Sequence, residues 1–195
     1  MAPAASALDV AENARLSMRV AVLGDDARAV RRLILFNGGE GAVEAGAGAM
    51  SLDASQQCVA RPVWRGDRHR PVACECWDLP AATLEAQPTL FWSVAAPAIS
   101  ARRPRQAAIV VASDIDSAVR WGNGYRQACR FDDRPVVLAW CDKERPTPNK
   151  RQMMVSFAAV ERFDPESGEG ARRILEAAAT AFMEAEKRRQ GCVLS

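Results

Sequence analysis

Four residues at the C-terminal end of the sequence have the types and spacing of a lipidation signal. Cys192, Val193, Leu194 and Ser195 are a cysteine, two aliphatic residues and a serine. A prenyltransferase recognises this C-a-a-X pattern and attaches its lipid to the cysteine, and a terminal serine favours farnesyl over geranylgeranyl. The pattern therefore predicts Cys192 as a lipidation site, and the alternative is a chance tetrapeptide.

A basic cluster precedes this box and suits the same interpretation. Lys187, Arg188 and Arg189 lie just before Cys192. One prenyl chain gives only marginal, reversible membrane binding, so a second signal is normally required. Each basic residue near an anionic leaflet contributes about 1 kcal/mol. We expect a cytoplasmic protein that is peripheral to a membrane and contacts its anionic surface through a prenylated C-terminus.

Composition and charge narrow the class of protein. The chain has 195 residues, of which 49% are hydrophobic and 26% are charged, as expected for one globular domain. Its net charge of +2 is too small to indicate a nucleic-acid partner, and we expect none. It has neither an apolar run of membrane-spanning length nor the N-terminal pattern of a signal peptide. Cys74 and Cys76 share one face of a predicted strand, where buried core positions are favoured over a metal site.

The elements that position these residues follow from hydrophobic patterning. Short apolar runs predict six strands, at residues 18–24, 57–64, 71–77, 107–112, 135–140 and 153–157. Apolar stripes predict three helices, at residues 28–36, 117–130 and 170–189. A glycine-rich loop is expected at 37–48, a hairpin turn at 65–68 and an irregular stretch at 78–105.

Strands that alternate with helices define the expected fold class. We predict an α/β fold with a mostly parallel six-stranded sheet, one antiparallel edge hairpin and helices on both faces. Residues 1–17 are expected to form a flexible N-terminal extension, 18–186 the domain, and 187–195 a basic tail that carries the C-a-a-X box.

This order of elements resembles a Ras-superfamily small GTPase. The likeness lies in a strand, a glycine turn, a helix, a hairpin, the pair Trp77-Asp78, and three further strands with helices before a prenylation signal. It covers residues 18–195, and the stretch 107–140 is similar to the Ran and Rab branches. It implies a P-loop NTPase fold, GTP or GDP with magnesium as cofactor, and an effector or regulator that binds the switch-like regions.

The phosphate-loop pattern G-x-x-x-x-G-K-[ST] aligns with residues 24–31 and keeps its first glycine, Gly24. Its second glycine, lysine and hydroxyl residue are replaced by Ala29, Val30 and Arg31. Asp25 and Asp26 add negative charge beside the expected position of the phosphates. These departures predict weak or absent nucleotide binding, because the glycines and the lysine are what cradle and neutralise phosphates.

The remaining nucleotide motifs are also degenerate. Asp78 keeps the aspartate that holds magnesium in the family, but alanines stand at the glycine and glutamine positions of D-x-x-G-Q. The guanine-recognition motif is represented by Lys143 and by Glu144, which is one methylene longer than the usual aspartate. The resemblance thus leaves Gly24, Asp78, Lys143 and Glu144 as degenerate guanine-nucleotide positions, with no catalytic residue. It indicates a pseudo-GTPase in signalling or trafficking.

Two other functions fit the same order of elements. A response-regulator receiver would use five residues, namely Asp25 and Asp26 as a magnesium pair, Asp78 as phosphoacceptor, Ser113 and Lys143. The predicted hairpin and the final strand and helix are surplus to that fold. The second alternative is a ligand-free α/β adaptor, which would dock partners through residues 37–48 and 78–105.

Overall fold

The computed structural model describes residues 16–37, 55–60, 72–78, 106–129, 134–144, 146–148 and 157–193. The predicted turn at 65–68, most of the glycine-rich loop and the stretch 79–105 lie outside these residues. So does the N-terminal segment before residue 16.

The described strands form one sheet. They are β1 (Leu16–Gly24), β2 (Ser55–Ala60), β3 (Val72–Asp78), β4 (Gln106–Ala112), β5 (Val136–Trp140) and β6 (Ala159–Arg162). The spatial order is β2-β3-β1-β4-β5-β6. Strands β3, β1, β4, β5 and β6 are mutually parallel, and β2 pairs antiparallel with β3 at one edge. The predicted α/β class is confirmed, and such a sheet fits the P-loop NTPase type of fold in general.

Helices cover both faces of this sheet. They are α1 (Ala27–Asn37), α2 (Ile115–Cys129) and α3 (Ala171–Val193) among the described residues. Helices α1 and α3 share one hydrophobic cluster with the sheet, which includes the predicted core residues Cys74 and Cys76. Helix α2 packs on the opposite face around Trp121, Tyr125 and Trp140. The helical spacing of the apolar residues therefore predicted the correct elements.

The predicted sixth strand at residues 153–157 lies outside the described residues except for Phe157, and the sixth described strand, β6, was not predicted. Strand β6 lies further along the chain, where Ala159 pairs with Val137 and Arg162 pairs with Trp140. Phe157 precedes the strand and is buried in the cluster that faces α2. The apolar run at 153–157 looked like a buried strand, whereas β6 is only partly buried and includes Glu161 and Arg162. An edge strand of this kind gives no continuous apolar signal.

The carboxyl ends of the parallel strands meet along one edge of the sheet. Strand order reverses between β1 and β4, because the chain passes from β1 to β3 on one side and returns to β4 on the other. In open α/β sheets, ligands bind in the crevice outside the strand ends at such a reversal. The residues after β1, β4, β5 and β6 therefore define the region in which a functional site is expected.

Candidate functional site at the carboxyl edge of the sheet

The connection from β1 to α1 is too short to form a phosphate loop. The strand ends at Gly24 and the helix begins at Ala27, so only Asp25 and Asp26 lie between them. The Asp26 carboxylate accepts hydrogen bonds from the backbone N–H groups of Arg28 at 2.9 Å and Ala29 at 3.1 Å. Asp26 is thus the N-cap of α1. The helix terminus at which a phosphate would bind holds a carboxylate of the chain itself.

Gly24, the one retained residue of the phosphate-loop pattern, has a packing role here. It pairs with Val111 of β4, and a Cβ added at Gly24 would collide with the Val111 carbonyl oxygen. That Cβ would also lie 3.2 Å from Cγ2 of Val30, which is buried in the core. Val30 stands at the lysine position of the pattern, so this position supplies apolar packing instead of a positive charge.

The Asp25 side chain joins the end of β1 to α2. One carboxylate oxygen accepts hydrogen bonds from Ser117 Oγ and from the Arg120 guanidinium, both at 2.5 Å. The other oxygen accepts from Trp121 Nε1 at 2.8 Å. Partial burial raises the pKa of Asp25, but the hydrogen bonds from Ser117, Trp121 and Arg120 outweigh it and hold the pKa below its ordinary value. Asp25 is therefore a fixed negative charge at the strand reversal.

Cys141 lies at the end of β5 beside this turn. Its backbone N–H donates to the Ala112 carbonyl at 2.9 Å, which aligns the ends of β4 and β5. Burial raises the pKa of the Cys141 thiol to about 12, with further contributions from the negative charges of Asp26 and Asp164. The thiolate is the reactive form of cysteine. Cys141 is accordingly a poor nucleophile near neutral pH.

Lys143 forms an ion pair with a residue of the β6–α3 turn. Its Nζ lies 3.0 Å from Oδ1 of Asp164. The hydrogen bond from Lys143 and that from the Glu166 N–H lower the pKa of Asp164 to about 2, against a smaller opposing effect of burial. Arg162 fixes the same segment by donating to the carbonyls of Asp142 and Lys143, at 3.0 Å each. These contacts hold Lys143 against the β6–α3 turn.

The β6–α3 turn is also anchored to α1. Arg32 donates to the carbonyls of Pro165 at 2.9 Å and Glu166 at 3.3 Å, and it contacts the Glu166 carboxylate at 3.1 Å. Asn37 Nδ2 donates to the Ala171 carbonyl at 3.1 Å. Gly170 adopts a φ of 89°, and a Cβ there would meet the Arg162 carbonyl. Contacts within the chain thus link the segments after β1, β5 and β6.

A cavity of about 190 Å³ lies where these segments meet. It is lined by Lys143, Arg162, Phe163, Asp164, Glu169 and Arg173. Lys143 pairs with Asp164, and Arg173 lies 3.9 Å from the Glu169 carboxylate. The lining carries charges of both signs, so it does not select for a ligand of one charge.

The residues that a receiver would use lie at or just after the carboxyl ends of four neighbouring parallel strands, β3, β1, β4 and β5. Asp25 and Asp26 face different partners, Ser113 is exposed, and Lys143 pairs with Asp164. Among the described side chains, no three acidic, histidine or cysteine residues could hold a metal ion. Only the backbone of Asp78 is described, at the end of β3 beside Val22.

The other predicted positions lie on the surface or at the end of α3. Glu144 is exposed, and its backbone N–H donates to Asp142 Oδ1 at 2.8 Å. Helix α3 continues through the basic cluster and includes the backbone of Cys192. Lys187 and Arg188 are exposed, whereas Arg189 contacts Glu186 at 3.0 Å. No helix in the described part of the chain is long and apolar enough to cross a bilayer.

The sequence did not single out the partners of Asp25. Ser117, Arg120 and Trp121 have the i, i+3, i+4 spacing that places side chains on one face of a helix. That spacing was available as a signal, but nothing local connects it to Asp25, which lies 92 residues away from Ser117.

Comparison of the chain with models of known protein families and with curated protein sequences finds no match.

Proposed function

We propose that this chain is a small-GTPase-like protein of the Ras superfamily type that works without bound nucleotide, as a signalling or trafficking adaptor at a membrane. The observation that carries the proposal is that the connection from β1 to α1, where a phosphate loop would lie, consists of Asp25 and Asp26 alone. Asp26 caps α1, and Asp25 places a second carboxylate at the strand reversal. A phosphate loop offers a nucleoside triphosphate a lysine and unpaired backbone N–H groups. This turn would offer it two carboxylates instead.

The sheet supports the family part of the proposal. The resemblance implied a P-loop NTPase fold, and the five parallel strands with the antiparallel pairing of β2 and β3 at one edge support it. The Val30 and Lys143 side chains support the loss of nucleotide binding, because one is buried and the other is held by Asp164. A domain of this type acts through protein contacts, and we assign those contacts to the switch-like stretches at residues 37–48 and 78–105.

The membrane part of the proposal rests on Cys192 and on the basic residues before it. Lys187 and Arg188 are exposed on α3 and can face an anionic surface. Farnesyl at Cys192 would supply the apolar part of the attachment and the basic residues the electrostatic part.

Nucleotide content tests the central claim. Protein purified under native conditions is denatured, and the released small molecules are identified by mass spectrometry. We expect no stoichiometric guanine nucleotide, and no saturable binding of a fluorescent GTP analogue with or without magnesium. Tight binding that is abolished by a magnesium chelator would refute the proposal. Phosphorylation of Asp78 by acetyl phosphate would instead support the receiver alternative.

A further inference from the structure

The contacts of Asp25 have the form of an anion site that is filled by the chain itself. Three donors from α2 converge on one carboxylate, and they are a hydroxyl, an indole N–H and a guanidinium. We propose that Ser117, Arg120 and Trp121 form an oxyanion-binding site, hereafter the α2 cradle, which Asp25 occupies here and which an external carboxylate or phosphate binds when Asp25 leaves it.

Two donors of the α2 cradle are buried, and they therefore need an acceptor. Ser117 is 4% exposed and Trp121 is 0% exposed, so neither polar group can turn to bulk water without moving the helix. Leaving such a buried donor unpaired costs roughly 1–3 kcal/mol. The guanidinium of Arg120 adds a charge that favours an anionic acceptor over a neutral one. Any oxyanion of suitable size therefore satisfies all three groups together.

The α2 cradle is also accessible. The Asp25 side chain is 32% exposed and that of Arg120 is 54% exposed, so an anion in solvent has a path to the guanidinium. The donors lie on a 15-residue helix, whereas Asp25 lies in the short connection between β1 and α1. The Asp25 carboxylate is therefore the group that must leave its position before an external anion can bind.

The position of the α2 cradle agrees with a ligand role. It lies at the ends of β1 and β4, where the strand order reverses and where open α/β sheets bind their ligands. The ligand is an oxyanion, and both an acidic side chain of a partner protein and a free phosphate group have this chemistry. The inference is independent of GTP binding, because it concerns α2 and not the N-terminus of α1.

Removal of the internal carboxylate tests the inference in the full chain. Asp25→Ala should lower the melting temperature, and formate, acetate or phosphate should restore it in a saturable way, with chloride at equal ionic strength as the reference. At ten times its dissociation constant, a bound anion should raise the melting temperature by roughly 3–6 °C. The wild-type protein should show no comparable rise, because Asp25 competes for the α2 cradle.

The neighbouring aspartate provides a matched control. Asp26→Ala loses the cap of α1 but leaves the α2 cradle filled, so its melting temperature should not recover with formate beyond the chloride reference. Equal recovery of both variants would show a general salt effect and overturn the proposal. So would an Asp25→Ala protein that folds and gains nothing from any oxyanion.

A second measurement covers an Asp25→Ala protein that does not fold. Asp25→Asn keeps the size of the side chain, and the indole N–H resonance of Trp121 reports directly on the α2 cradle. Titration with formate or phosphate should shift this resonance in Asp25→Asn, and an unchanged resonance would overturn the proposal. Stronger competition by a glutamate-containing peptide than by phosphate would assign the natural ligand to a protein carboxylate, and the reverse order would assign it to a phosphate.

Discussion

Substitution of Gly24 by alanine separates a packing role from a phosphate-binding role. The added methyl group would collide with the Val111 carbonyl and lie 3.2 Å from the side chains of Val111 and Val30. Strand β1 is paired on both sides, so its backbone cannot move away without disturbing β3 or β4. Overpacking of this kind costs about 1–3 kcal/mol. For a domain of this size, a loss of about 2 kcal/mol lowers the melting temperature by roughly 4–8 °C.

Thermal and urea unfolding of Gly24→Ala measure this effect without any ligand. Ser113→Ala is the control, because Ser113 is exposed just after the adjacent strand β4, and surface changes usually stay within about 0.5 kcal/mol. Magnesium and GTP should leave the melting temperatures of wild type and both variants unchanged.

Two results would refute this reasoning. A Gly24→Ala protein as stable as Ser113→Ala would show that β1 and β4 accommodate a side chain at this position. A melting temperature that magnesium and GTP raise in the wild type but not in Gly24→Ala would show that Gly24 contacts phosphate.

Three further changes have defined outcomes. The pKa of Asp164 is lowered from its ordinary value of 3.8 to about 2 in the folded state. The ionised carboxylate therefore contributes its full stabilisation at a pH above 3.8, and this contribution is lost as the pH falls through about 2. In urea unfolding, the difference between wild type and Asp164→Asn should therefore be largest near neutral pH and vanish towards pH 2; a constant difference would contradict the ion pair. Because the pKa of Cys141 is about 12, iodoacetamide should modify this thiol much more slowly in the folded than in the urea-unfolded protein at neutral pH, and equal rates would contradict its burial. Cys192→Ser should abolish farnesyl incorporation in a eukaryotic cell and shift the protein to the soluble fraction, and an unmodified wild-type mass would refute lipidation.

The sequence was most informative where one face of an element is buried. Helix α1 was predictable because Ala29, Val30, Leu33 and Ile34 form a continuous apolar stripe, and these residues are buried. The predicted strands that became β1, β4 and β5 lie in the interior of the sheet, where both faces are covered and the residues are almost all apolar. Strand β6 was not predicted because it lies at the edge of the described sheet, where that signal disappears.

The candidate site was predictable only in part. The sequence placed two carboxylates after β1, and both are there. The partners of these carboxylates depend on which elements meet in the folded chain, and local patterns do not encode that. Lys143 is an example, because its ion-pair partner is Asp164, which follows β6, a strand that the sequence did not predict.

The dependence of the first strand and helix on α3 has a consequence for synthesis on the ribosome. Arg32 binds the Pro165 carbonyl across 133 residues of sequence, and the core under α1 is completed by Ile174, Leu175, Ala178 and Phe182 of α3. Until α3 has emerged from the ribosome, it cannot cover its face of the nascent sheet. Contacts of such long separation form late and leave apolar surface open to aggregation. Chains that terminate before α3 should therefore be retained by chaperones or degraded.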